Sequence, residues 1–213
     1  GRRLRAPAGL ATRPTTDRVR EALFNILVSS PLPLYGGTVL DLYAGSGALG
    51  IEALSRGASS VVFVEQDPQA AKILRQNLHE LSLSTRALVL EQPVQRALSR
   101  LLKSPAPGFG PPFDLVVADP PYATCQSGEL AQLVTQLGQS GVSVLLSNSW
   151  VPLTLSLYEG CHIEQVQARR AINSKGDKRG LVPELLASAG PLSEVLRSRI
   201  VPVATPELSA QLA

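Results

Sequence analysis

What this 213-residue chain lacks narrows the field before any motif is considered. Two cysteines, Cys125 and Cys161, are too few for a disulfide scaffold or a four-ligand zinc site, and point to a reduced, cytosolic setting. No apolar run approaches the ~20 residues that span a bilayer, and the N-terminus offers no signal-peptide hydrophobic region. Methionine is missing even at position 1, as expected of a chain without its native start. Charged residues make up only 17% against 44% hydrophobic, a balance that buries a core rather than staying disordered.

The charge that is present is unevenly spread. A net charge of +3 says little by itself. Yet Arg2, Arg3, Arg5, Arg13, Arg18 and Arg20 crowd the N-terminal segment with Asp17 as the sole acid among them. A second cluster, Arg169, Arg170, Lys175, Lys178 and Arg179, is opposed only by Asp177. Solvated surface accounts for an isolated arginine. Two clusters at opposite ends of one chain point to a polyanionic partner.

Hydrophobic periodicity gives the organisation. Residues 1–14 are basic and rich in Gly and Pro, an arm leading into a helix that Thr15 or Thr16 caps and that buries Val19, Leu23, Phe24 and Leu27. Strands are expected over 38–42, 60–64, 87–90, 113–118, 142–146 and 162–166. Helices are expected over 48–56, 68–79, 94–103, 128–137 and 152–158, with a last one from Pro191 and a polar loop near 173–178. Such alternation predicts an α/β fold: a mostly parallel, Rossmann-like sheet with helices on both faces. The expected division is an arm and helix over 1–30, a catalytic domain over 31–188, and a C-terminal helix and tail over 189–213. Open parallel sheets bind ligands at the carboxyl ends of their strands, where Asp41, Glu65 and Asp119 fall.

The first strand, Val39-Leu40-Asp41-Leu42, runs through Tyr43 and Ala44 into Gly45-Ser46-Gly47. Glycines let a backbone approach a ligand closely. No Lys-Ser/Thr pair follows, so this is no P-loop, and Asp41 would repel a pyrophosphate. An acid there suits a ligand carrying an ammonium and a sulfonium. Glu65 closes the next strand where a ribose hydroxyl would lie, with Gln66 beside it and Asp67 as the second acid within reach. The pattern resembles the first motif of S-adenosylmethionine-dependent methyltransferases. That resemblance implies that Asp41, Tyr43, Ala44, Gly45 and Gly47 line the methionine part of the cofactor.

The fourth strand ends in Asp119-Pro120-Pro121-Tyr122. The residue types suit methylation of an exocyclic base amine, whose lone pair is delocalised into the ring. Asp119 and the Pro120 carbonyl can accept both amine hydrogens and turn the nitrogen towards tetrahedral geometry. The prolines stiffen the turn. Tyr122 offers a face for an extruded base, a stacking worth ~1–3 kcal/mol that helps offset unstacking. Asp119 also borders the cofactor.

Together with Gly1-Arg2-Arg3-Leu4, Thr12-Arg13-Pro14-Thr15, Arg18-Val19-Arg20-Glu21-Ala22-Leu23-Phe24-Asn25 and Ala48-Leu49-Gly50, these motifs resemble the bacterial RsmD family of 16S rRNA guanine-N2 methyltransferases over residues 1 to about 122. The resemblance implies a class I methyltransferase fold, S-adenosylmethionine as cofactor, and 16S rRNA or a small-subunit assembly particle as partner. It sets Arg13, Arg18 and Arg20 near substrate or cofactor. Glu91-Gln92-Pro93 departs from the family where the adenine is contacted, and Gln92 is the substitute. Further on, Leu145-Leu146-Ser147-Asn148-Ser149 and Arg169-Arg170-Ala171-Ile172-Asn173, with Glu184-Leu185-Leu186, resemble the end of Dam-type DNA adenine-N6 methyltransferases. DNA adenine methylation is therefore the alternative, although too few residues separate Asp67 from Asp119 for the usual target-recognition domain. An RNA-binding module with a vestigial cofactor fold is a third reading. No metal site and no membrane partner are expected, and the chain is taken as a cytoplasmic monomer. Cys125 has no paired histidine, since His79 and His162 lie on other segments, and Trp150 is read as packing.

Overall fold

A computed structural model describes residues 4–5, 20, 24–25, 27, 34–104, 106–121, 124, 128–169 and 181–199. Seven strands form one sheet in the order β3-β2-β1-β4-β5-β7-β6. They are β1 (Thr38–Leu42), β2 (Ser60–Glu65), β3 (Ala87–Glu91), β4 (Leu115–Ala118), β5 (Ser143–Ser149), β6 (His162–Arg169) and β7 (Leu181–Ala189). The first five pair in parallel, and β7 runs antiparallel to both β5 and β6. The connecting helices are α1 (Ala48–Ser55), α2 (Pro68–Glu80), α3 (Val94–Lys103), α4 (Gly128–Gln139), α5 (Pro152–Leu157) and α6 (Pro191–Arg199).

Composition explains the order of the layers. The central strands β1, β2 and β4 are almost continuous Val, Leu, Phe and Ala, and are buried except at Thr38, Ser60 and Glu65, as strands covered on both faces must be. One face gathers Val39, Val61, Phe63, Val117 and Leu145 under α1 and α2, with Phe24 and Leu27 against them. The other gathers Leu40, Val62, Val116, Leu146 and Leu185 under α3 and α4. Each fully buried large side chain here contributes ~1.5–3 kcal/mol over exposure. Leu192 and Leu196 of α6 join the first of these cores.

Two expectations need correction. Strand β5 continues past Leu146 through Ser147, Asn148 and Ser149, because β7 supplies backbone partners as far as the Ser149–Glu184 pair. Strand β7 itself is not among the expected elements. Its register extends β6 as well, which runs to Arg169 instead of ending near Val166.

Candidate active site

The strand register brings three acids to one edge and one face. Asp41 lies level with Phe63 on β2 and Val117 on β4. Glu65 and Asp119 each follow two residues later, so by the two-residue period of extended chain all three side chains leave the same face. Asp41 is buried, and its Oδ2 accepts the Gly50 N–H at 2.8 Å, which fastens β1 to the first turn of α1. Burial pushes its carboxyl up to about 8; the Gly50 bond opposes this, and the charges of Asp119 and Glu65 add to it.

The turn between Asp41 and α1 is a cradle of backbone. Tyr43 takes a positive φ of 62°, rare for a bulky residue and typical of functional turns. The Ala44 N–H reaches the Val64 carbonyl on β2 at 2.9 Å, and Gly47 closes the turn onto Ala44 O at 2.7 Å. Gly45 and Gly47 both need positive φ, but differ in surroundings. A Cβ on Gly45 would meet open space, whereas one on Gly47 would strike Leu74 of α2. Gly45 therefore faces open space, and Gly47 lets the turn rest on α2.

Glu65 spans the cradle. Its Oε2 accepts the Gly45 N–H at 2.7 Å and its Oε1 the Asp67 N–H at 2.8 Å. A carboxylate has about four lone-pair sites, so hydroxyls of a ribose can still be accepted. Asp67 is engaged otherwise: it caps α2 by accepting from Gln69 N at 2.9 Å, ahead of Pro68 at the first helical position. Gln66 is exposed beside them. The Gln92 N–H binds the Glu65 carbonyl at 3.0 Å, so the turn after β3 is held against the end of β2. The Gln92 Nε2 is buried with no hydrogen-bond partner among the described residues.

These features fit S-adenosylmethionine. Three acids on one rim, with Asp41 raised chiefly by its burial and less by the charges of Asp119 and Glu65, suit a ligand that brings positive charge. The open side of Gly45 leaves space for it, and the orphaned Gln92 amide offers a donor where an adenine ring would lie. Among the described residues no His, Cys, Asp and Glu cluster could hold a metal ion.

At the end of β4, Asp119 is half-buried, Pro120 buried and Pro121 exposed. The Ser147 Oγ donates to Asp119 Oδ1 at 2.6 Å from the neighbouring strand. Sequence reasoning does not find Ser147. The available signal is a buried strand whose last residues turn polar at the carboxyl edge of a parallel sheet. Arg20 lies 3.8 Å from Glu52 of α1, which also pairs with Arg56 at 2.6 Å. Tyr122, Arg13, Arg18 and Arg170 lie outside the described residues, as does Cys125, and Arg169 ends β6. His79 is exposed near the end of α2, His162 pairs with Glu164 at 3.0 Å, and Trp150 packs on the second core.

A family model described as Conserved hypothetical protein 95 matches residues 1–158. The chain belongs to this family, that of the RsmD methyltransferases. It is 34% identical over 158 residues to the Ribosomal RNA small subunit methyltransferase D of Haemophilus influenzae, covering 74% of this chain and 72% of that one. To the Escherichia coli protein of the same name it is 38% identical over 141 residues, 66% of this chain and 64% of the relative. Among solved structures, a hypothetical protein of Thermus thermophilus superposes with a TM-score of 0.60 at 28% identity, over 89% of this chain and 94% of that one. The C-terminal domain of precorrin-6Y C5,15-methyltransferase from Rhodobacter capsulatus, at 17% identity, shares the fold alone, with a TM-score of 0.61 over 83% of this chain and 90% of that one. The expected class I methyltransferase fold is the one observed. The family match runs past the expected end near Tyr122 and across Leu145-Leu146-Ser147-Asn148-Ser149, the first part of the Dam-like stretch, and stops at Tyr158, before Arg169 and Glu184.

Proposed function

We propose that this methyltransferase uses S-adenosylmethionine to methylate the N2 amine of a guanine in 16S rRNA, free or in a small-subunit assembly particle, as a cytoplasmic monomer. The observation that carries this reading is the arrangement of Asp119-Pro120 beside the Asp41–Gly45–Glu65 cradle, on one face of one sheet edge. The names of the 34% and 38% identical relatives supply the RNA class.

The bound cofactor supplies an electrophilic sulfonium methyl. The chain's task is to present a nucleophile in line with it. Asp119 accepts one amine N–H and the Pro120 carbonyl the other, which rotates the nitrogen lone pair out of conjugation. Ser147 holds Oδ1 of Asp119 and so aims the remaining lone pairs at the substrate. Asp41, Tyr43, Ala44, Gly45 and Gly47 take the methionine part, Glu65 with Gln66 the ribose, and Gln92 the adenine. Tyr122 stacks the base, while Arg13, Arg18, Arg20, Arg169 and Arg170 meet phosphates. Positioning of this kind accounts for most of the rate in an in-line transfer. The amine proton becomes acidic as the nitrogen is alkylated, so no strong base is needed.

Transfer of tritiated methyl groups to three pools (naked 16S rRNA, small-subunit particles and unmethylated DNA), followed by nucleoside digestion, tests the reading. N2-methylguanosine in either RNA pool is expected. N6-methyladenine in the DNA pool would establish the alternative instead. Asp119→Ala should abolish transfer while leaving cofactor binding largely intact.

A further inference from the structure

Asn77 sits in the last turns of α2, away from the acids, and is almost fully buried at 2% exposure. Its carboxamide joins three separate segments. Oδ1 accepts the backbone N–H of Arg5 at 2.9 Å, and Nδ2 donates to the backbone carbonyl of Arg5 at 3.1 Å. Nδ2 also donates to the Ser46 carbonyl at 2.9 Å. Ser46 lies between Gly45 and Gly47 in the cofactor turn. Leu4 packs on the first core and Arg5 forms an ion pair with Glu80, so this end of the basic arm is seated on α2.

The amide has no freedom left. Both of its N–H groups are used, and the Arg5 N–H fixes which end carries the oxygen, because a flipped amide would set donor against donor. Seating the arm thus holds one Nδ2 hydrogen on the Ser46 carbonyl. Losing the Arg5 N–H leaves a buried oxygen unpaired and lets the amide turn to find another partner. The turn then loses its fixed donor.

We infer that Asn77 is a positioning residue that couples docking of the basic arm to the shape of the cofactor turn. The inference rests on the cofactor and RNA readings above. Its consequence is linkage: RNA that binds the arm in its seated position in preference to the released one tightens the cofactor, and cofactor that orders the turn tightens RNA by the same factor.

The test removes the arm's tie without touching Asn77 or the turn. Arg5→Pro deletes the backbone N–H. Arg5→Ala deletes the side chain and its ion pair but keeps that N–H. Calorimetric titration with S-adenosylhomocysteine is made on the full chain as wild type and as each variant, with and without saturating 16S rRNA transcript. Wild type and Arg5→Ala should each bind more tightly with RNA, by about fivefold or more, whereas Arg5→Pro should bind more weakly and respond little to RNA. A purely structural role would lower the unfolding temperature of Arg5→Pro and leave the RNA-dependent ratio unchanged; that result overturns the inference. So does an Arg5→Pro chain indistinguishable from wild type. A wild type that takes up no S-adenosylhomocysteine overturns the cofactor reading and this inference together.

Discussion

The Ser147 hydroxyl donates to Asp119 Oδ1 at 2.6 Å, one rung beyond the Ala118–Leu146 pair of β4 and β5. Hydrogen bonds to a charged acceptor contribute ~1.5–3 kcal/mol, so Ser147→Ala should lower kcat by about tenfold or more. The affinity for S-adenosylhomocysteine should stay near wild type, since the Ser147 hydroxyl bonds Asp119 and not the Gly45–Glu65 cradle. Ser147→Thr, which keeps the hydroxyl, should recover most of the rate. Single-turnover methyl transfer and calorimetry on the same preparations separate the two effects.

The two glycines of the cofactor turn should fail in different ways. Gly47→Ala sets a methyl against Leu74 at a φ of 87°, and is expected to cost ~1–3 kcal/mol of stability. Gly45→Ala meets no neighbour at a φ of 56° and should cost about 1 kcal/mol, yet its methyl enters the open space that the proposed cofactor would fill. Thermal unfolding should therefore single out Gly47→Ala. Cofactor titration should single out Gly45→Ala relative to its small loss of stability.

Asp41 carries a pH signature. Its carboxyl is held up to about 8 in the fold against 3.8 as an ordinary carboxyl. Across that interval the unfolded chain ionises Asp41 and the folded chain does not, so its contribution to stability falls as pH rises and levels off above about 8. Asp41→Asn keeps an acceptor for Gly50 N–H and removes this loss. The stability of the variant relative to wild type should therefore grow between pH 4 and pH 8, by on the order of a few kcal/mol, in denaturant titrations of the cofactor-free protein. Cofactor affinity should fall in the same variant above about pH 8, where the wild-type Asp41 is ionised and the asparagine in its place carries no charge. A stability difference independent of pH would refute the assignment.

Glu65 and Asp67 separate the two candidate ribose acids. Asp67 accepts Gln69 N–H as the cap of α2, so Asp67→Ala should cost about 1 kcal/mol of stability with little effect on cofactor affinity. Glu65 accepts Gly45 N–H and faces the cradle, and Glu65→Gln should weaken the cofactor severalfold with a smaller change in stability. The reverse pattern would exchange their roles.

The legible parts of this molecule are those written locally. Val39 to Gly47 announces a buried strand and a glycine turn within nine residues, and Asp119-Pro120-Pro121 marks a strand exit by itself. The parts that stay hidden depend on partners far along the chain. Ser147 and Asn148 look like loop residues until β7 pairs with them. Pro183 argues against a strand, yet it lies one residue past Glu184, the last β7 residue paired to β5, where only β6 flanks it. Asn77 looks like an ordinary polar residue of a helix. Nothing nearby in sequence tells that Arg5 and Ser46 converge on it.

The reversed strand β7 has a consequence for how this enzyme class can diversify. Because β6 is parallel to β5 and pairs antiparallel with β7, the end of β6 at Arg169 and the start of β7 at Leu181 fall at the same end of the sheet as Asp119 and Ser147. Length and charge can change in that hairpin without disturbing any of the five parallel strands. A change made there leaves Asp41, Glu65 and Asp119, which sit at the ends of those parallel strands, where they are.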